Sequence, residues 1–311
     1  MAEVLTPDTL DFAAYARATD AQAKVRKASA FTDDLLAEFI PPARTGRKPQ
    51  MFSTKLRDRL IFRPGEVTVW AGYNGHRKSM FTGQVALDLC VSHERVLMAS
   101  FEMSPARTLA RMARQAFAHQ APKNDLLERF GRWTDGRLWL FDHVGRITPD
   151  QCLAVVRYFA EELQGTQVFI DSMMMVCASE ESMDEQKQFA TDVVRAAQEY
   201  GVHIHLIAHC RKPQAGEDKP PTKYDLRGSA AISDQCHNVC MVWANKAKKD
   251  KQEEGGYDLQ LGDQPDALLS VEKQRNGPFE GKLKLWFSED SFRFSDSRTE
   301  PVEPYALELP C

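Results

Sequence analysis

The chain has 311 residues, 43% hydrophobic and 27% charged, which is ordinary for a folded globular protein. That balance excludes a disordered scaffold, a collagen-like fibre and a small disulfide-stapled module. The net charge of -4 excludes a surface that holds polyanions everywhere, so any nucleic acid would have to meet local basic groups in a groove or pore. The seven cysteines form no CxxC pair, which predicts a reducing, cytoplasmic setting. The first residues lack a basic stretch followed by an apolar one, and no run approaches the roughly 18 apolar residues of a membrane span.

Residues 1–50 read as a helical arm and linker. A helix is expected over Leu10 to Lys27, then a short one capped by Thr32 with Leu35, Leu36 and Phe39 on one face. Residues 41–49, rich in Pro, Gly and basic side chains, read as the linker. Strands and helices then alternate. Strands are expected at Glu66 to Trp70, Arg95 to Phe101, Arg137 to Phe141, Gln167 to Ile170 and His203 to Ala208. Ser104 and Pro105 open a helix with a stripe of Leu109, Met112, Ala113, Ala116 and Phe117. Phe189, Val193, Ala197 and Tyr200 form a second stripe after Met183. This order predicts an α/β fold with a mostly parallel sheet covered on both faces. Leu268 to Arg275, Lys282 to Phe287 and Ser291 to Phe294 predict an antiparallel extension, with tight turns at Asn276-Gly277 and Glu289-Asp290. Residues 297–311 read as a tail.

Four places carry chemistry. Gly72-Tyr73-Asn74-Gly75-His76-Arg77-Lys78-Ser79, continuing into Met80, lies between a strand and an amphipathic helix, the context of a phosphate-binding P-loop. Its backbone N–H groups and helix N-terminus would face phosphates, Lys78 would neutralise the β and γ oxygens, and Ser79 would ligate Mg²⁺. Arg77 stands where the pattern has glycine. A left-handed arginine would cost roughly 1–2 kcal/mol and its bulk is expected to crowd the phosphates, so Arg77→Gly is expected to tighten nucleotide binding or raise turnover. Next, Asp171 ends the apolar run Val168-Phe169-Ile170 and is placed as a Walker B carboxylate holding Mg²⁺. Ser172 follows where many ATPases have a glutamate base, and Glu102, at the end of another strand, is the candidate replacement. His209 ends a third buried strand and can report on the γ-phosphate. The surrounding His203, His205, Cys210, Cys236 and His237 match no closed zinc spacing and read as core residues. Finally, Lys273 and Arg275 are two apart on a strand, the arrangement of a phosphate clamp offered to a neighbouring active site. The run Lys246 to Lys251 reads as a solvated loop.

Taken in order, GEVTVWAGYNGHRKS, SFEMS, VFIDS, HLIAHCRKP, DLRGSAAISDQCHNV and VEKQRNGPFEGKLKLWF resemble the RecA-like motor domain of DnaB-type hexameric replicative helicases, nearest to bacteriophage primase-helicases and mitochondrial Twinkle, over residues 51–296. The resemblance implies a RecA-like P-loop NTPase fold, ATP and Mg²⁺ as ligands, and a homo-oligomeric ring, by family a hexamer, on single-stranded DNA. It implies Glu102 as activator of the attacking water, Asp171 as Walker B acid, His209 as sensor, and Arg275 with Lys273 as a finger reaching the adjacent subunit's ATP. Single-stranded DNA would be met by Arg211, Lys212, Lys219, Lys223 and Arg227. The loop Ala178 to Glu185 would also line the channel, although it is acidic. With only residues 1–50 ahead of the motor, a primase or loader is expected on another chain. Two other readings stay open: a RecA-like recombinase or regulatory ATPase, and a nucleotide- or DNA-binding scaffold whose hydrolysis is impaired by Arg77.

Overall fold

A computed structural model of the chain describes residues 27–32, 36, 51–57, 59–177, 182–211, 219–228, 230–254, 263–299 and 302–307. The chain divides into two units, Met1–Arg47 and Lys48–Cys311. In the first, Ala28–Phe31 forms a 3₁₀ turn. Thr32 does not cap a following helix: it is itself right-handed, and its hydroxyl donates back to the Ser29 carbonyl at 2.7 Å. The helix expected at Leu10 to Lys27 and the linker at 41–49 lie outside the described residues.

The second unit is one nine-stranded sheet between helices. Its elements are α1 (Thr54–Arg57), β1 (Val67–Ala71), α2 (Lys78–Val91), β2 (Val96–Ser100), α3 (Pro105–Phe117), α4 (Asn124–Thr134), β3 (Leu138–Leu140), α5 (Pro149–Glu161), β4 (Gln167–Asp171), α6 (Met183–Tyr200), β5 (His203–Ile207), α7 (Ala231–Gln235), β6 (Asn238–Ala244), α8 (Lys246–Glu253), β7 (Ala267–Gln274), β8 (Gly281–Ser288) and β9 (Arg293–Ser295). The strand order is β3-β2-β4-β5-β1-β6-β7-β8-β9. The first six pair in parallel, and β7, β8 and β9 extend the sheet antiparallel, as the sequence pattern predicts. No helix among the described residues is long and apolar enough to cross a membrane.

Alternation along the strands sorts side chains to two cores. Val67, Val69 and Ala71 of β1 face one, with Phe189, Val193 and Ala197 of α6. Trp70 faces the other, with Phe81, Val85 and Leu89 of α2 and Met112, Ala113 and Ala116 of α3. Both expected helical stripes are therefore buried. Strand β6 is absent from the sequence expectations, although NVCMVWA is continuously apolar after its first residue and buried throughout. The β7–β8 connection is longer than a tight Asn276-Gly277 turn: residues 275–280 separate the strands, and the Gln274 side chain closes the loop by accepting from the Phe279 N–H at 3.2 Å. The basic run at 246–251 is helix α8, capped by the Asn245 side chain, rather than a loop. Its Lys248 is buried on Asp266 at 2.6 Å.

Candidate nucleotide and nucleic-acid site

Parallel strands deliver their carboxyl ends to one edge of the sheet, and a cleft forms where the strand order switches. Here β1 lies between β5 and β6, although α2 carries the chain from β1 to β2 beyond them. The loop 72–77 leaves β1 at that edge and closes into α2. A Cβ on Gly72 would run into the Val242 carbonyl oxygen, so glycine is needed for the loop to pass β6. His76 is a buried anchor: its Nδ1 accepts the Ala244 N–H at 3.1 Å. Lys78 is buried and donates to the Gly72 and Tyr73 carbonyls at 3.0 and 2.9 Å. Burial lowers its pKa, opposed by the charges of Asp171, Cys210 and Glu102.

Arg77 adopts φ 63° and ψ 22°, the left-handed conformation that normally calls for glycine. Its side chain leaves the loop on the far side. The guanidinium lies 4.0 Å from the centre of the Phe287 ring, and Nη2 donates to Glu289 Oε1 at 2.6 Å. The expected crowding of phosphates therefore loses its premise, since two partners on β8 and the turn after it hold the side chain.

Strands β2 and β4 pair in register, Ser100 against Asp171, and this brings the two candidate acids together. Asp171 is buried, which raises its pKa; a hydrogen bond from the Ser79 hydroxyl opposes that rise. A hydroxyl beside a desolvated carboxylate is a set of hard oxygen donors that suits Mg²⁺. Glu102 Oε1 accepts from Ser172 Oγ at 2.8 Å. His209 Nε2 lies 3.4 Å from the same oxygen, and since a carboxylate only accepts, the imidazole N–H donates. The His209 bond, with help from Ser172 and Lys78, depresses Glu102 to about 2 against the opposing effect of burial. Glu102 is thus held as a carboxylate, the form a general base requires. His209 Nδ1 is buried with no hydrogen-bond partner. Arg111, on α3, is a site neighbour that sequence reasoning misses. It is partly buried, which lowers its pKa, and the Asp171 charge pulls the other way. The only sequence signal is an arginine set between Leu109 and Met112 of an apolar stripe.

The other buried histidines belong to the core. His203 Nδ1 bonds the Arg63 carbonyl at 2.7 Å and Nε2 the Thr68 hydroxyl at 2.9 Å. His205 Nδ1 accepts from Trp70 Nε1 at 3.1 Å, and the ring stacks on Phe169. Burial lowers His203 to about 3, so both nitrogens serve a neutral ring.

Beyond His209 the chain is zipped to the segment 222–227. The Cys210 N–H reaches back to the Gly72 carbonyl at 3.0 Å, and Cys210 bridges Leu226. The Arg211 N–H donates to the Asp225 carbonyl and the Arg227 N–H to the His209 carbonyl, both at 2.8 Å. A cavity of about 320 Å³ opens between Tyr73, Asn74, Cys210, Arg211 and Arg227. Lys219 is exposed and Lys223 partly so; Lys212 lies outside the described residues, as does most of the acidic loop at 178–181. Gly228, at φ 106°, passes so close to Gln186 of α6 that a Cβ would collide with its side chain.

Lys273 and Arg275 lie at the other end of the sheet. The Arg275 N–H bonds the His237 carbonyl, and the His237 N–H bonds the Val67 carbonyl, so this level is the start of β1, whereas the P-loop follows its end at Ala71. Five strand residues correspond to roughly 16 Å. Lys273 Nζ caps α7, donating to the Ser233, Asp234 and Cys236 carbonyls, each at 2.8 Å. Arg275 Nη2 makes one such contact, to Asp234 at 3.0 Å.

Comparison with known proteins agrees with this architecture. The solved ATPase domain of a DnaB-like helicase aligns with a TM-score of 0.70 at 16% identity, covering 88% of this chain and 100% of that one. A structure of a DnaB-like replicative helicase and its interactions with primase aligns with a TM-score of 0.68 at 16% identity, covering 91% of this chain and 71% of that one. Residues 57–296 match the DnaB-like helicase C terminal domain family, and the chain, with its P-loop, paired strand-end acids and antiparallel extension, belongs to that family.

Proposed function

We propose that this chain is a replicative helicase motor that hydrolyses ATP between subunits of a ring and translocates on single-stranded DNA. The observation that carries the proposal is the separation of two half-sites. Lys78, Ser79, Glu102, Asp171 and His209 gather at the carboxyl edge of the sheet, while Arg275 sits at the level where β1 begins. An arginine so placed cannot reach its own P-loop but is available to a neighbour's, and a head-to-tail interface of this kind closes into a ring. Six subunits is the number that the resemblance implies.

In this reading the loop amides and Lys78 bind the phosphates of ATP. The Ser79 hydroxyl and Asp171 carboxylate would hold Mg²⁺, which supplies charge neutralisation at the phosphates. Glu102, kept ionised by His209 and Ser172, orients and deprotonates the attacking water. His209 accompanies the event because its N–H is already on Glu102. Any shift of His209 passes to the 222–227 segment through the backbone bonds at 209–211. Arg211, Lys219, Lys223 and Arg227 then move along the DNA backbone, a sequence-tolerant and salt-dependent contact. A primase or loader on another chain fits the same reading.

The test is fork unwinding by the purified chain, with and without ATP, alongside DNA-stimulated turnover. Unwinding that requires ATP supports the motor. Intact DNA binding with turnover at background would establish the scaffold reading in its place.

A further inference from the structure

We propose that Tyr224 is a base-stacking residue for single-stranded DNA. The inference rests on the DNA-translocating reading above and adds a contact to bases rather than to phosphates. Tyr224 is 83% exposed, the most exposed of the large hydrophobic side chains among the described residues. A tyrosine ring in water normally covers its apolar faces against neighbours, and this one does not.

The backbone beneath it is held firmly. Pro220 and Pro221 restrict the approach. Thr222 and Asp225 form a capping box around the 3₁₀ turn Lys223–Asp225, with Asp225 Oδ2 accepting from the Thr222 N–H at 2.7 Å and its hydroxyl at 2.9 Å. Leu226 is buried, and the Asp225 carbonyl and Arg227 N–H are tied to residues 209–211. A rigid turn presenting one ring outward loses little conformational entropy when a base settles on it.

The surroundings select the ligand. Lys223 Nζ lies 5.6 Å from the centre of the Tyr224 ring. Lys219, Arg211 and Arg227 belong to the same loop cluster, and the charges of Lys223 and Arg275 both lower the pKa of Lys273. The nearest carboxylate, Asp225, is occupied by Thr222. An aromatic face bordered by cations is the pairing that holds a base and its phosphates together, without preference among the four bases. It also lies on the segment wired to His209, so a stacked base would be carried with the loop.

The experiment measures binding of fluorescein-labelled dT16, and of an abasic strand of the same length, to the full chain by anisotropy across a salt series. Tyr224→Ala should weaken dT16 binding about 5- to 150-fold, the range for one lost stack. It should leave the abasic affinity and the salt slope unchanged, because no phosphate contact is removed. Tyr224→Trp should restore dT16 binding, and Lys223→Ala should instead lower the salt slope. If the parent chain binds neither strand, the DNA-translocating reading fails and this inference with it. If the parent binds but Tyr224→Ala binds dT16 equally well, stacking alone is refuted. If Tyr224→Ala weakens both strands equally and the assembly shrinks on size exclusion, the ring contacts a neighbouring subunit and the proposal is overturned.

Discussion

Arg77 offers a direct test of how this P-loop manages without its usual glycine. Arg77→Ala keeps a Cβ in the left-handed conformation and removes both anchors. The guanidinium stacked 4.0 Å from Phe287 is worth about 0.5–1 kcal/mol. The ion pair with Glu289, whose side chain is 56% exposed, adds only about 0.2–1 kcal/mol. Arg77→Ala should therefore lose about 1–2 kcal/mol, a fall in Tm of about 2–8 °C for a domain of this size. Arg77→Gly loses the same anchors but is relieved of roughly 1–2 kcal/mol of left-handed strain. The freer unfolded chain offsets about 0.5–1 kcal/mol of that relief. The glycine variant should thus fall within about 1 kcal/mol of the parent and above the alanine variant. Urea and thermal unfolding of the three proteins give the order, and titration calorimetry with ATP and Mg²⁺ gives the affinity. Because the side chain is held away from the loop, Arg77→Gly should bind ATP within about threefold of the parent. An alanine variant as stable as the glycine one would refute the left-handed conformation. Tenfold tighter binding by Arg77→Gly would show that the arginine crowds the phosphates after all.

Other variants separate chemistry from architecture. Glu102→Gln should retain ATP binding, since an amide oxygen can still accept from Ser172, while turnover falls about 10²- to 10⁴-fold; turnover at the parent rate would remove Glu102 from the reaction. Lys273→Ala should destabilise the fold by roughly 2–3 kcal/mol in urea, because three carbonyls lose a charged donor. Arg275→Ala should change stability by less than about 1 kcal/mol yet lower turnover by about 10³-fold or more with ATP binding intact, and normal turnover would exclude the finger role. Asp88, buried on α2 between the Phe52 N–H and the Tyr305 hydroxyl, is raised by burial to about 7 from an ordinary 3.8. Between those values the folded state holds a proton that the unfolded state has released, so this group's contribution to stability rises as pH falls from 7 towards 4. Asp88→Asn should lack that gain when urea unfolding at pH 7 and pH 5 is compared with the parent; equal pH responses would refute the buried-acid assignment.

The fold is legible wherever periodicity is clean. Gln167 to Ile170 and His203 to Ala208 read as buried strands because both faces of a parallel sheet are covered, and both are strands in the structure. The amphipathic stripes of α3 and α6 are buried as read. The errors have local causes. The apolar run of β6 follows a polar motif without a turn signal, so it merges with its neighbour in the sequence pattern. The basic run at 246–251 looks solvated, yet Asn245 caps it as a helix and Asp266, from a distant segment, draws Lys248 inside. No local pattern foretells a partner that far along the chain.

By itself the sequence determined the kind of machine: a strand, a phosphate loop and a helix in order, acids at the ends of two further strands, and a cation pair after them. Those are properties of spacing, and spacing survives without coordinates. Only the tertiary structure decided how the pieces share their work. Register between β2 and β4 sets Glu102 beside Ser172, and β5 brings His209 to the same oxygen. Packing against Phe287 and Glu289 turns Arg77 from an obstruction into an anchor. The carbonyls of α7 engage Lys273 within its own chain and leave Arg275 with a single contact. In each case the deciding partner comes from another strand or helix, and side chains distant in sequence meet only when the sheet closes.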